Sequence, residues 1–427
     1  MEDLAASTKQ ELPIVAVVVR QHAEDAAVLH SIRTALTAAA QIKLKDLRRF
    51  DDRVAAHLDG LSVAGEQAWP LLDAALAPPS PGTLFAATVM AIENRSADRL
   101  RHLYALAEAV PEAQRGLVSG FGWVEQPQLR GLVVNLLGSQ STFQRLLAMK
   151  VCAMHRVDTG RLGDVITKES EPRLAGRALR AAGELGEVDL IPTCLRMLTE
   201  DDAECRFWAA WSGVLLGNRG AAVETLETLV EEPGPLSSRA FRLALQAADQ
   251  IRAQAWMRRL ARDPDNLRLL INGSGICGDP YYVPWLIKHM IDPKTARLAG
   301  EAFSLITGVD LAFQHLDRKA PEDIDAGPND EPSDDNVDMG QDHGLLWPDP
   351  DRVAEWWQAN GGRFDAGTRY FVGAPVIREN CLRVLKEGFQ RQRILAAHYL
   401  CLLEPGTTLF EWRAPAARQQ RLLAAMV

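Results

Sequence analysis

Several side chains in this sequence are of types that do chemistry, and their spacing decides which chemistry is open to them. His22 and His30 lie eight residues apart in a helix-forming stretch, with Glu24 and Asp25 between them. Imidazole and carboxylate groups bind zinc, but histidines at this spacing are also common on helix surfaces. The pattern favours ordinary helix positions, and we expect neither a metal site nor another cofactor.

Adjacent carboxylates, which could act as general acids and bases, occur at Asp51–Asp52, Asp201–Asp202 and Glu231–Glu232. Each pair lies at a turn or an exposed helix start, where capping and solvation explain it. The glycine-rich stretch NGSGICGD, Asn272–Asp279, falls in a predicted helix and turn, so close helix packing explains it better than phosphate binding. The sequence contains no P-loop, zinc-peptidase or serine-hydrolase signature, and we expect no catalytic residue.

Composition narrows the class of partner. The six cysteines lie far apart, form no CxxC pair and are expected to be small buried side chains in a reducing compartment. The net charge of -9 and the pI of about 5.6 disfavour binding to a nucleic-acid backbone. The apolar run Ile14–Val19 is much shorter than a membrane span needs. We therefore expect a cytoplasmic chain whose partner is a protein, with no contact to a membrane.

A regular series of small-residue turns indicates how the elements are organised. Turns that follow apolar helical runs recur at intervals of about 31 residues, at Gly186, Gly217, Ala248, Gly278 and Gly308. Pro192 and Pro284 each follow such a turn by six residues. Proline is favoured in the first turn of a helix, where its missing N–H would have no partner. Each unit is therefore predicted to be a pair of helices, and the prolines mark the first helix.

The predicted second helices share an Asp that precedes an Arg by five residues. The pairs are Asp201 and Arg206, Asp263 and Arg268, and Asp292 and Arg297. The Asp is predicted to cap the helix, because a carboxylate accepts from the free N–H groups and favours the positive end of the helix dipole. The Arg is predicted to reach that carboxylate or its counterpart in the neighbouring unit.

The unit IP..L..L..D....R..A..........LG resembles the HEAT repeat from about Arg115 to Asp310. This resemblance implies an all-α, armadillo-like solenoid, in which each helix pair stacks on its neighbours. We expect a helical cap over residues 1–80, which the breaker APPSPG ends, and the solenoid over residues 81–312.

The remaining chain divides by charge into an acidic loop, residues 313–350, and a basic helical region, residues 351–427. Twelve acidic and two basic residues lie in Asp317–Asp351, whereas ten basic and five acidic residues follow from Gly361. The two segments could pair with each other, or the basic region could bind an acidic partner. The sequence leaves both possibilities open.

Positions 31 residues apart on the predicted second helices hold Arg180, Trp211 and Arg242, with Phe207 one turn before Trp211. HEAT-type proteins present their second helices on a concave face that binds partners, and Trp and Arg are favoured interface anchors. These four residues are the predicted partner-binding strip. In the alternative, Trp208, Trp211 and Phe207 pack between repeats.

Three flanking segments carry a second resemblance: LRRFDDRVAAHLDGL, WPDPDRVAEWW and RYFVGAP with GFQRQRILAAHYL. They resemble an uncharacterised proteobacterial family that has HEAT-like centres and is often encoded in type VI secretion gene clusters. The resemblance brings no catalytic residues. It implies a non-catalytic adaptor or effector co-chaperone, whose partner is an effector, its chaperone or a spike protein. The alternatives are a HEAT-like enzyme acting on DNA (the alkylation glycosylase type), a bilin-lyase-like protein and an immunity protein.

Overall fold

The computed structural model describes residues 14–231, 234–321 and 342–426 of the 427-residue chain. The described residues are mostly helical, and their strands amount to two antiparallel pairs of two residues each. This confirms the predicted all-α class. An apolar composition dominated by Ala and Leu, which have high helix propensity, is the physical reason.

The described chain divides into two compact units. The first is formed by residues 14–35 and 46–139, and the second by residues 36–45, 140–231, 234–321 and 342–426. The helices numbered first are α1 (Ala16–Leu36), α2 (Leu44–Ala64), α3 (Trp69–Ala75), α4 (Pro81–Glu93), α5 (Ala97–Ala109), α6 (Gln114–Trp123) and α7 (Leu132–Leu137). The boundary that we expected at residue 80 lies inside the first unit, because α3 and α4 contact each other there. The capping of the first repeat by residues 1–80 stays a prediction.

In the first unit, α4 packs against α5 and α6. Gly116 of α6 lies so close to the backbone of Pro81 that no side chain would fit between them. Arg33 and Asp51 form a buried ion pair, with 2.6 Å between Nε and Oδ1. The carboxylate of Asp51 therefore has a structural partner.

The second unit begins with a run of helices in which odd-numbered and even-numbered members make different contacts. They are α8 (Thr142–Met154), α9 (Leu162–Lys168), α10 (Pro172–Leu185), α11 (Ile191–Arg196), α12 (Ala203–Leu215), α13 (Ala221–Glu231), α14 (Ser237–Ala247), α15 (Gln250–Leu260), α16 (Leu267–Cys277), α17 (Val283–His289) and α18 (Pro293–Thr307). Each even-numbered helix from α10 to α18 contacts the odd-numbered helix before it, and α10, α12, α14, α16 and α18 contact one another in sequence.

Small residues allow these helices to approach closely. The Cβ that an alanine would add at Gly183 of α10 lies 2.5 Å from Oγ of Ser212 on α12, and at Gly275 of α16 it lies 2.8 Å from Cα of Ala302 on α18. Ser212 also donates a hydrogen bond to the carbonyl of Leu179. Close helix packing therefore accounts for the glycines of NGSGICGD, as the sequence indicated.

The chain after α18 forms β1 (Asp317–Arg318), β2 (Trp347–Pro348), α19 (Pro350–Asn360), β3 (Tyr370–Phe371), β4 (Ala374–Pro375), α20 (Arg378–Glu387), α21 (Gln390–Leu403) and α22 (Ala416–Ala425). Strand β1 pairs with β2, and β3 pairs with β4. Most of the predicted acidic loop, residues 322–341, lies outside the described residues. Its pairing with the basic region stays a prediction.

The C-terminal region binds the carboxyl ends of the even-numbered helices. Arg369 donates to the carbonyls of Leu245, Gln246 and Ala248 at the end of α14 and to that of Cys277 at the end of α16. The last carbonyls of a helix have no partner within the helix and carry a partial negative charge, which a guanidinium satisfies. This one arginine therefore joins two successive repeats to the C-terminal region.

The predicted ladder residues fall at helix starts, with one shift. Pro192 and Pro284 lie in the first turns of α11 and α17. Asp263 accepts from the N–H of Asp265, and Asp292 caps α18. The cap of α12 is Asp202 rather than Asp201, because its side chain reaches the N–H of Cys205.

The ladder arginines contact backbone oxygens or side chains other than those predicted. Arg206 donates to the carbonyls of Glu200 and Asp201. Arg268 donates to the carbonyl of Lys294 in the next unit and forms a 2.6 Å ion pair with Asp342. Arg297 lies over the ring of Trp347, with 4.9 Å between Cζ and the centroid. The expected pairing with the ladder aspartates is therefore wrong for Arg268, whose carboxylate partner, Asp342, comes from the segment predicted as the acidic loop.

Candidate functional site

The four residues of the predicted strip differ in accessibility. Phe207 is fully buried and Trp211 is 6 % exposed, whereas Arg180 and Arg242 are partly exposed. Trp211 lies against His398 of α21, with 6.2 Å between ring centroids, and α21 packs against α12 and α14. Partner binding by the strip stays a prediction. In the described conformation, however, a partner reaches its two arginines and not its two aromatic rings.

A different tryptophan brings the exposed cations together. The guanidinium carbon of Arg180 lies 4.6 Å from the ring centroid of Trp208, and that of Arg239 lies 6.0 Å from the same centroid. Arg242 follows Arg239 by one turn on α14. We call Arg180, Trp208, Arg239 and Arg242 the Trp208 cluster. Its members come from three successive even-numbered helices, α10, α12 and α14.

The arginines of this cluster have donor groups without protein acceptors. Arg180 donates through Nε to Glu184, at 2.8 Å, and that is its one hydrogen bond to the described chain. The side chains of Arg239 and Arg242 make no hydrogen bond or ion pair with any residue that the structure describes. Arg239 is exposed at the surface. Cations with unused donors at an accessible surface are suited to recognising an anionic group.

Like charges surround these side chains. Desolvation, followed by the charges of Arg180, Arg413 and Arg242, lowers the pKa of Arg239 below its usual value. On α8, burial and the nearby arginines of α10 lower the pKa of Lys150. Cationic side chains of α8, α10 and α14 therefore lie close enough to lower one another's pKa, although the chain as a whole is acidic.

One buried carboxylate holds part of the cluster in place. Glu184, 4 % exposed, binds both Arg177 and Arg180 on α10. Burial alone would raise the pKa of Glu184, but the charges of Arg177, Arg180 and Arg156 outweigh it and lower this pKa to about 2. Its backbone carbonyl also accepts from the N–H of Leu409, at 3.0 Å. Glu184 thus fixes Arg180 and ties α10 to the C-terminal region.

The other candidate chemical groups have structural partners. All six cysteines are buried, and burial raises the pKa of every thiol, to about 11 for Cys152 and about 12 for the others. These thiols stay protonated near neutral pH, which makes them poor nucleophiles. His30 is stacked on Phe85, and burial, followed by nearby arginines, lowers its pKa to about 4.

His22 does not pair with His30. Its Nδ1 lies 3.1 Å from Nδ1 of His57, which in turn lies 3.7 Å from Oδ2 of Asp25. In the described part of the chain, no group of three or more His, Cys, Asp or Glu side chains is arranged to hold a metal ion. None of the helices there combines the length and apolarity that crossing a bilayer requires.

Sequence reasoning missed three contributors to this region: Trp208, Arg239 and His398. Arg239 precedes the predicted Arg242 by three residues, so a one-turn search along α14 would have found it. Trp208 was assigned to packing, and it is indeed 5 % exposed, but its ring also orients two arginines. Nothing in the local sequence indicates that His398 covers Trp211, because 187 residues separate them.

Comparison of the chain with protein-family models, with curated proteins and with solved structures finds no match to any of them. The two resemblances therefore rest on the quoted motifs alone.

Proposed function

We propose that this chain is a non-catalytic protein-binding scaffold that holds its partner at the Trp208 cluster. The observation that carries the proposal is the arrangement of Arg180, Arg239 and Arg242. Three cations with unused side-chain donors lie on α10 and α14, the two helices that flank α12, and two of them share the indole ring of Trp208 on α12. Arginine and tryptophan are among the residue types enriched where interface energy is concentrated.

We also propose that the helix pairs of the second unit form a HEAT-like solenoid. The five helices α10, α12, α14, α16 and α18 end at intervals of 30 to 32 residues, and each contacts the next. Glycines in the left-handed conformation follow α10, α16 and α18. A stack of this kind carries equivalent surface positions on successive repeats, which suits extended contact with another protein.

The resemblance of the flanking segments gives the biological setting of the proposal. The scaffold would act in the cytoplasm as a type VI secretion-associated adaptor or effector co-chaperone, and its partner would be an effector, an effector chaperone or a spike protein. An immunity protein would use the same surface to inhibit a toxin. It would be recognised by its protection of cells from a neighbouring effector rather than by support of secretion.

Two enzyme alternatives have simple tests. A DNA enzyme of the alkylation glycosylase type would bind duplex DNA tightly and with steep dependence on salt, because each neutralised phosphate releases counterions. A bilin-lyase-like protein would retain a coloured tetrapyrrole on purification.

The proposal is tested by site-specific crosslinking in the native cell. A photoreactive amino acid in place of Ser238, an exposed residue beside Arg239 on α14, leaves the cluster intact and should capture one defined protein, identified by mass spectrometry. The same amino acid in place of Arg258, an exposed arginine on α15 outside the cluster, should not capture it. Equal capture at both positions, or capture at neither, would show that the Trp208 cluster is not the binding surface.

A further inference from the structure

The geometry of the Trp208 cluster restricts the shape of an anionic ligand. The guanidinium carbons of Arg180 and Arg239 lie 4.6 and 6.0 Å from one ring centroid, so their separation cannot exceed the sum of those two distances. Acidic side chains three or four residues apart on a helix have Cβ atoms about 5–6 Å apart. That limit admits two such carboxylates, each near one arginine of the cluster.

The carboxylates beside the cluster are already engaged. Glu184 is shared between Arg177 and Arg180. Glu204 accepts a hydrogen bond from Nε1 of Trp208, at 3.1 Å. Glu301, which lies near Arg242, accepts both of its ion-pair contacts from Arg391, at 3.0 and 3.2 Å. Among the described residues, the side chains of Arg239 and Arg242 therefore form no ion pair and are available to an external anion.

We propose that the Trp208 cluster binds an acidic helical segment of the partner protein, through two carboxylates placed one helical turn apart. This inference rests on the proposed scaffold function and adds the chemistry of the partner. Arg239 and Arg242 donate to one carboxylate, and the terminal nitrogens of Arg180 donate to the other. The ring of Trp208 holds Arg180 and Arg239 over its surface, which reduces the freedom that they lose on binding.

A short acidic segment fits this surface better than a nucleic-acid strand. Glu204 is exposed next to Trp208 and repels any anion here, so a continuous line of phosphates is opposed more strongly than a segment that brings only two carboxylates. The chain also carries a net charge of -9, which opposes a long polyanion but acts only weakly on a peptide with two acidic groups.

The test measures binding of three labelled probes to the full-length protein by fluorescence anisotropy. The first is a helical peptide with two glutamates four residues apart, the second is the same peptide with glutamines, and the third is single-stranded DNA. The glutamate peptide should bind, and its Kd should be about tenfold lower than that of the glutamine peptide, since two charge-assisted hydrogen bonds are lost in the latter. Binding should weaken as salt increases.

Variants then assign the effect to the cluster. R239Q and R242Q should each raise the Kd of the glutamate peptide about tenfold, whereas R258Q should change it less than about twofold. Circular dichroism should show that R239Q, a surface change, keeps the native helix content. Equal binding of both peptides, or equal weakening by R258Q and R239Q, overturns the inference.

The DNA probe decides between partner classes. Binding of DNA more tightly than the glutamate peptide, with the same dependence on Arg239, would assign the cluster to nucleic acid and overturn this inference. The crosslinking experiment is independent of this result. If the crosslinker at Ser238 captures a defined protein but the two peptides bind equally, the scaffold function stands and the acidic-segment inference fails.

Discussion

Glu184 should contribute more to stability than any exposed carboxylate of the chain, and E184Q tests this. The side chain is buried between Arg177 and Arg180. Its pKa falls from 4.5 to about 2, which corresponds to about 3 kcal/mol of stability at neutral pH. Removing one member of a buried ion pair costs a similar amount, about 3–5 kcal/mol, because the remaining charge stays buried without compensation.

The pH dependence of stability gives this prediction a distinct signature. A carboxyl whose pKa is lower in the folded state binds its proton more readily in the unfolded state. Its contribution is therefore complete above pH 4.5 and is lost as the pH falls towards 2. Over that pH interval, the free energy of unfolding of wild type should fall by about 3 kcal/mol more than that of E184Q, as measured by urea unfolding followed by far-UV circular dichroism.

The matched control is Asp164→Asn, which breaks the exposed pair of Asp164 and Lys168 on α9. Solvent screens this pair, so its removal should leave the midpoint of urea unfolding unchanged. The reasoning is refuted if E184Q is as stable as wild type at pH 7 and the two proteins lose stability in parallel between pH 4.5 and 2.

Three further substitutions test the contacts that hold the second unit together. G278A should lower the free energy of unfolding, measured by urea unfolding, by about 2–4 kcal/mol, because φ at this glycine is +68° and a Cβ would collide with the carbonyl of Tyr370. The control G131A, at a glycine with φ of +81° and open space around it, should cost only about 1 kcal/mol in the same assay. D292A should lower the free energy of unfolding by about 1 kcal/mol in urea, because α18 loses its cap. D292N should keep most of that stability, because asparagine also caps helices well. R393M should lower the free energy of unfolding by about 2–4 kcal/mol, because the fully buried guanidinium donates to a backbone carbonyl and two glutamine side chains, which would lose their donor. If R393K has the thermal midpoint of wild type, those acceptors do not require the planar geometry of arginine.

The repeat ladder shows what local sequence can predict. Gly186 ends α10 in the left-handed conformation, and α11 starts at Ile191 with Pro192 in its first turn. Both features follow from steric preferences of single residues, which act over a few positions along the chain. For the same reason the cap of α12 was predicted to within one residue, although Asp202 and not Asp201 occupies it.

The candidate site depended on contacts that the local pattern does not contain. Positions 31 residues apart gave Arg180, Trp211 and Arg242 as one row, but the indole that contacts Arg180 is Trp208. Each residue turns the helix by about 100°, so the angle at which α10, α12 and α14 pack decides which tryptophan the arginines of α10 and α14 contact. That angle is not readable from spacing alone.

The amino-acid sequence alone determined the helical class, the period of the repeats and the places where most of their helices begin and end, because those properties arise from hydrogen bonds and side-chain sterics within a few residues. The tertiary structure decided that α21 covers Trp211 and that Arg369 joins the ends of α14 and α16. These contacts join residues more than 90 positions apart in the chain. Their formation depends on the packing of the whole unit, since only burial of many side chains together offsets the entropy lost in closing such long loops.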